Sequence, residues 1–148
     1  MFKNILIPTD GSELSTQAAH RAIALAQSLK AMTLVLRVSP TYRQLTSEGY
    51  LVPNLPSGKR EWETAVADRA RLVLDAVVAE AKAAGVACEA VHLFRDLPYA
   101  AIIDTANKNG CDLIVMASHG YGGFKQLLLG SETTRVLSHS KIAVLVIR

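Results

Sequence analysis

Residues Asp112 to Thr134 read DLIVMASHGYGGFKQLLLGSETT, and the reading of this stretch decides the fold. Leu113 to Met116 is a short β-branched and aliphatic run of the kind that forms a buried strand. It breaks at Ser118-His119-Gly120-Tyr121-Gly122-Gly123, a loop. After Phe124 to Leu129, Gly130 and Ser131 stand where a helix N-cap is expected, ahead of a helix from about Ser131 to His139. Strand, glycine loop and helix start in this order outline an anion site. Glycine lets the backbone approach a ligand, successive N–H groups turn inward as a nest, and the positive end of a helix faces the same point.

Outward from this stretch, the chain alternates strands and helices. Phe2 to Pro8 reads as the first strand, with Ile5, Leu6 and Ile7 running continuously as in a strand buried on both faces. Thr9-Asp10-Gly11-Ser12 is a turn, with Ser12 the expected cap of a helix whose apolar residues fall at 14, 18, 22, 25 and 29. Met32 to Val38 follows after a short connection, the pattern of a right-handed β-α-β unit. A long helix from Glu61 to Ala84 carries Trp62, Val66, Val73 and Val77 on one stripe and ends at Gly85, where a left-handed cap is wanted. Val86 to Phe94 alternates like an edge strand. Pro98 to Asn109 reads as a helix with Ala101, Ile102 and Ala106 inward, and Ile142 to Ile147 as the last strand. Five strands alternating with four helices give a single-domain, doubly wound α/β sheet with helices on both faces.

The spacing Ala117, two residues, Gly120, nine residues, Gly130, Ser131 closely resembles the nucleotide-binding signature of the universal stress protein family, G-x2-G-x9-G-[ST]. Asn4 to Gly11 (NILIPTDG) resembles that family's first strand and turn, and Lys141 to Arg148 its last strand, so the resemblance spans nearly the whole chain. Two positions depart from the pattern. Ala117 replaces the family's first motif glycine, and Asp96 replaces the glycine of a Gly-x-Pro.

The resemblance implies strand order 3-2-1-4-5, with ligands taken at the crevice between strands one and four. It also implies roles for residues of this chain. Pro8, Thr9, Asp10 and the backbone of Val38 would frame an adenosine, with Met116 and Ala117 against ribose and base. Gly120, Gly130 and Ser131 would hold phosphates, flanked by His119 and Glu132. Asp10 suits a ribose hydroxyl or, through a cation, the polyphosphate; as a bland alternative it caps a helix. Ser131 carries the same ambiguity between cap and phosphate ligand. His119 lacks a partner in sequence to orient it and reads as structural rather than catalytic. Lys125 either neutralises phosphate or solvates the loop. The implied function is an ATP-binding stress-response regulator, with Mg²⁺ and at most a very slow ATPase activity. The alternative is a dimeric interaction module of the same fold that binds no nucleotide. A homodimer through Ile142 to Ile147 is expected, because a bare edge strand invites pairing.

Composition narrows the remaining classes. With 148 residues, 50% hydrophobic and 20% charged, the chain affords one full core. The net charge is +3 and the pI near 9.0, with Lys and Arg scattered, so nucleic acid is not an expected partner. The chain has no Gly-Lys-Ser or Gly-Lys-Thr, so the glycine loop is not a P-loop. Cys88 and Cys111 read as small buried hydrophobes in a reducing cytoplasm, and His20, His92, His119 and His139 show no metal-ligand spacing. No apolar run approaches the ~18 residues of a membrane span. Pro40 to Gly58, rich in proline and glycine, reads either as a lid carrying Tyr42 or Tyr50 or as a surface loop.

Overall fold

The computed structural model describes residues 1–43, 58–121 and 128–148. Strand β1 (Asn4–Pro8) leads to helix α1 (Glu13–Leu29) and strand β2 (Met32–Ser39). Helix α2 (Lys59–Ala83), strand β3 (Cys88–Phe94), helix α3 (Pro98–Lys108), strand β4 (Leu113–Ala117), helix α4 (Ser131–His139) and strand β5 (Ala143–Ile147) follow. The strands form one parallel sheet in the order β3-β2-β1-β4-β5. This is the doubly wound order expected, with β3 and β5 at the edges.

The continuous apolar runs follow from burial on both faces of the sheet. Ile5, Ile7, Val35 and Val115 pack on one side with Ala18, Ala22 and Ala26 of α1 and Leu74, Val77 and Ala81 of α2. Leu6, Leu34, Leu36, Ile114 and Met116 pack on the other with Ile102 and Ala106 of α3 and Val136 of α4. Ile5, Leu6 and Ile7 are fully buried, which fixes β1 as the central strand. The face of α1 is built on alanines, and Leu14, Leu25 and Leu29 only flank it. On α2 the buried stripe runs through Trp62, Ala70, Leu74, Val77 and Ala81, so Leu74 takes the place expected of Val73. Trp62 is a core anchor, its ring 5.6 Å from that of Tyr42 and 5.9 Å from that of Phe94.

Helix ends explain where the strands begin. Gly85, at φ 72°, donates to Lys82 O at 3.0 Å, and Val86 donates to Ala81 O at 2.8 Å. This closing motif uses Val86, so β3 starts at Cys88 rather than at Val86. Helix α1 ends in the same way, but on Lys30 at φ 55°, the one non-glycine with positive φ among the described residues. At the chain start, the N–H groups of Lys3 and Asn4 bind the Asp112 carboxylate, and regular pairing of β1 begins at Asn4 rather than Phe2. Most of the segment from Pro40 to Gly58, including Tyr50, lies outside the described residues, as do Gly122, Gly123 and Lys125.

Candidate functional site

Adjacent crossovers from β1 and β4 leave on opposite faces of the sheet, and this opens a crevice beyond the strands' carboxyl ends. A cavity of about 490 Å³ occupies it. Pro8, Thr9 and Asp10 from the end of β1 line it, as does Val38 from β2. Met116, Ala117, His119 and Gly120 line it from β4 and the following turn, and Gly130, Ser131 and Glu132 from the start of α4. All the residues expected at the site are thus brought together around one cavity.

The first wall is a hydrogen-bonded turn. Thr9 N–H donates to Leu36 O at 2.9 Å, and the Thr9 and Ser15 hydroxyls share a bond of 3.0 Å. Ser12 caps α1, its hydroxyl accepting Ser15 N–H at 3.3 Å. Asp10 is therefore not the cap. Its Oδ1 accepts Ser12 N–H and its Oδ2 accepts Tyr121 N–H, both at 2.9 Å, while the Tyr121 hydroxyl donates to Gly11 O at 2.9 Å. These bonds tie the turn after β1 to the turn after β4. Burial pushes the Asp10 carboxyl up, but the hydrogen bonds from Ser12, Tyr121 and Ser15 outweigh it and hold the group below its ordinary value.

The opposite wall is the start of α4. Gly130 N–H closes onto Ser118 O at 2.6 Å, and Ser118 N–H donates to Ile147 O at 2.7 Å. Gly130 is the N-cap, in extended conformation, and Ser131 is already the first helical residue. Of the two roles left open for Ser131, the cap falls to Gly130 instead, and Ser131 is exposed. With glycine at the cap, no side chain among the described residues accepts the first N–H groups of α4, which stand as donors at the positive end of the helix. A β-carbon on Gly130 would lie 3.1 Å from His119 Cα and 3.3 Å from Ser118 O, so only glycine lets the two segments close without displacement. His119 has Ser118 Oγ 3.2 Å from its Nδ1, a long contact, and no carboxylate partner among the described residues.

Two expected residues have other occupations. Glu132 accepts Tyr99 N–H at the start of α3 at 2.7 Å and pairs with Arg135 at 3.2 Å, so its carboxylate braces α3 against α4. Ala117 is 7% exposed and belongs to the core layer with Ile5, Val115 and Ile147, while its carbonyl accepts the Thr133 hydroxyl at 2.9 Å. The methyl that distinguishes it from glycine thus packs with the core.

Arg37 and Tyr121 also line the cavity, and neither was foreseen. For Arg37 the signal was present: it is the lone charge in the strand MTLVLRVS, near the carboxyl end, where doubly wound sheets bind ligands. Burial lowers its pKa, against the opposing pull of Asp10, and its own charge adds to burial in lowering that of His92.

Fold and site together define a doubly wound α/β protein with a crevice at its topological switch point, lined by a glycine turn and the start of a helix. The chain belongs to the universal stress protein family, whose model matches residues 1–148. A universal stress protein of Thermus aquaticus is 34% identical over 149 residues, covering 100% of both chains. Among solved structures, the protein MJ0577 of Methanocaldococcus jannaschii superposes with a TM-score of 0.83 at 27% identity, over 99% of this chain and 96% of that one. The universal stress protein of Archaeoglobus fulgidus, solved in complex with dAMP, shares the fold at a TM-score of 0.67 and 17% identity, over 100% of this chain and 98% of that one. Among the described residues no helix is long and apolar enough to cross a membrane.

Proposed function

We propose that this chain binds ATP in the crevice and acts as a stress-response regulator through nucleotide-dependent conformation or partner binding, in the cytoplasm. The observation that carries the reading is the pairing of two features across one cavity. One is the uncapped start of α4 beside Gly120 and Gly130, where backbone donors meet the positive end of a helix. The other is the apolar and hydroxyl-bearing end of β1 and β2, where Thr9, Asp10 and Val38 would meet ribose and base. A volume of about 490 Å³ lies in the range of small-molecule sites. The dAMP complex of the Archaeoglobus fulgidus protein supports testing adenine nucleotides first.

Mg²⁺ fits this site as a companion of the phosphates. Among the described residues no group of three or more acidic, His or Cys side chains gathers to hold a metal, and both Asp10 oxygens already accept N–H groups. The ion would be held mainly by phosphate oxygens and water, as Mg²⁺ prefers. It would supply charge neutralisation for the polyphosphate. Turnover is expected to be very slow at most, because among the described residues no carboxylate orients His119 as a base.

The functional unit in this reading is a homodimer through Ile142 to Ile147. Among the described residues strand β5 pairs only with β4 and exposes Leu145 at 41%, and pairing with its own copy would satisfy the open edge. Sedimentation at tens of micromolar reads the dimer directly, and monomer alone would refute it. Denaturing the purified protein and identifying the released nucleotide tests the ligand. Adenine nucleotide is the expected result. A protein that releases none and takes up none becomes an interaction module of the same fold.

A further inference from the structure

Among the described residues lining the cavity, Arg37 is the one lysine or arginine. Its side chain is partly buried, and it takes part in none of the ion pairs between described residues. Its side chain is also absent from the side-chain hydrogen bonds between described residues, in which Arg71, Arg95 and Arg135 do take part. Asp10 is near enough for its charge to act on Arg37, yet its two oxygens are taken by the N–H groups of Ser12 and Tyr121. The guanidinium fork therefore has donors to spare in a partly dehydrated pocket. It lines the cavity together with Asp10, Gly120 and Tyr121, and its charge interacts with both Asp10 and Tyr121. A planar fork of five N–H donors matches phosphate oxygens, and partial burial weakens the screening of that attraction.

We propose that Arg37 is the phosphate-directed cation of this pocket. Its guanidinium donates to an oxygen of the nucleotide's phosphate chain and offsets the repulsion from Asp10, so that ATP retention depends only weakly on Mg²⁺. The inference rests on the nucleotide-binding reading above. It goes beyond the glycine-loop motif, which contains no basic residue at its fixed positions.

The test compares wild type, Arg37→Met and Arg37→Gln by calorimetric titration with adenosine, AMP and ATP, each in Mg²⁺ and in EDTA at fixed ionic strength. For ATP in EDTA, either substitution should weaken binding ~10-fold to ~150-fold, the range for a hydrogen bond to a charged group, while adenosine affinity stays within about twofold. The loss should be smaller with Mg²⁺ present, and AMP should fall between ATP and adenosine. The thermal midpoint of the apo protein should hold or rise, because a partly dehydrated cation is removed. Arg37→Gln keeps a polar head and serves if the methionine protein does not fold. Equal losses for adenosine and ATP would overturn the proposal by assigning Arg37 to the base or ribose. Unchanged ATP binding would overturn it while leaving the nucleotide reading intact. A wild-type protein that binds neither adenosine nor ATP would remove both.

Discussion

The Asp10 carboxylate stands in the space that a β-carbon on Gly120 would fill, so that a side chain at residue 120 would collide with Oδ2. The same oxygen accepts Tyr121 N–H at 2.9 Å, and Oδ1 holds Ser12 N–H at 2.9 Å. One side chain thus clamps the two turns that face each other across the crevice, and glycine at 120 is the condition for the clamp to close.

Gly120→Ala should push Asp10 aside and break the Tyr121 bond. We expect a loss of about 1 to 2 kcal/mol of apo stability, towards the low end for a bond to a charged acceptor because the freed N–H can turn to water. ATP affinity should fall with it. Adding Asp10→Ala removes the collision, so the double variant should be less destabilised than the sum of the singles. Urea denaturation of the four proteins checks this, and strict additivity would show that the contact is incidental.

Acid should loosen the same clamp. Burial raises the Asp10 carboxyl, but its hydrogen bonds prevail and its folded pKa lies below the ordinary value. A depressed carboxylate contributes stability above the unfolded pKa, near 3.9, and loses it as pH falls through the folded value. The stability advantage of wild type over Asp10→Asn should therefore be constant above about pH 5 and shrink below about pH 4. Denaturation midpoints across that window decide the matter, and an advantage that grows on acidification would contradict the sign.

Ser131 separates ligand from scaffold. Because Gly130 is the cap and the Ser131 hydroxyl makes no hydrogen bond among the described residues, Ser131→Ala should leave apo stability within about 0.5 kcal/mol. If the hydroxyl donates to phosphate, ATP should weaken by roughly 1.5 to 3 kcal/mol. Ala117→Gly should do the reverse. It removes a methyl from the core layer and loosens a strand, costing roughly 1 kcal/mol of stability, with ATP affinity unchanged or tighter. Thermal midpoints and calorimetry on both variants read the two effects apart. A Ser131→Ala protein that is destabilised but binds ATP normally would reverse the assignment.

The parts of the fold legible in the sequence were those with strong patterns. The unbroken Ile5-Leu6-Ile7 run announces a strand buried on both faces, and Gly85 announces a helix end. Strand order came through the family resemblance, because periodicity shows which strands are buried without saying which are neighbours. The eleven residues from Pro8 to Glu132 expected to bind the nucleotide gather around one cavity because the ends of β1, β2 and β4 and the start of α4 meet at the switch point of the sheet. What escaped depends on geometry that short patterns do not hold. Gly130 and Ser131 are both acceptable caps, and only the extended backbone of Gly130 decides between them. The α2 stripe shifts from Val73 to Leu74 because a 25-residue helix accumulates small phase errors against its 3.6-residue period. Glu132 reaches the start of α3 through a contact 33 residues distant in sequence.

The central claim is that the crevice holds an adenine nucleotide, and titration calorimetry of the purified, nucleotide-stripped protein with ATP and GTP in the presence of Mg²⁺ tests it most directly. Saturable heat with ATP, weaker binding of GTP, and phosphate release no faster than roughly a few turnovers per hour are expected. No heat at millimolar ATP, from a protein that also carries none from expression, would contradict it.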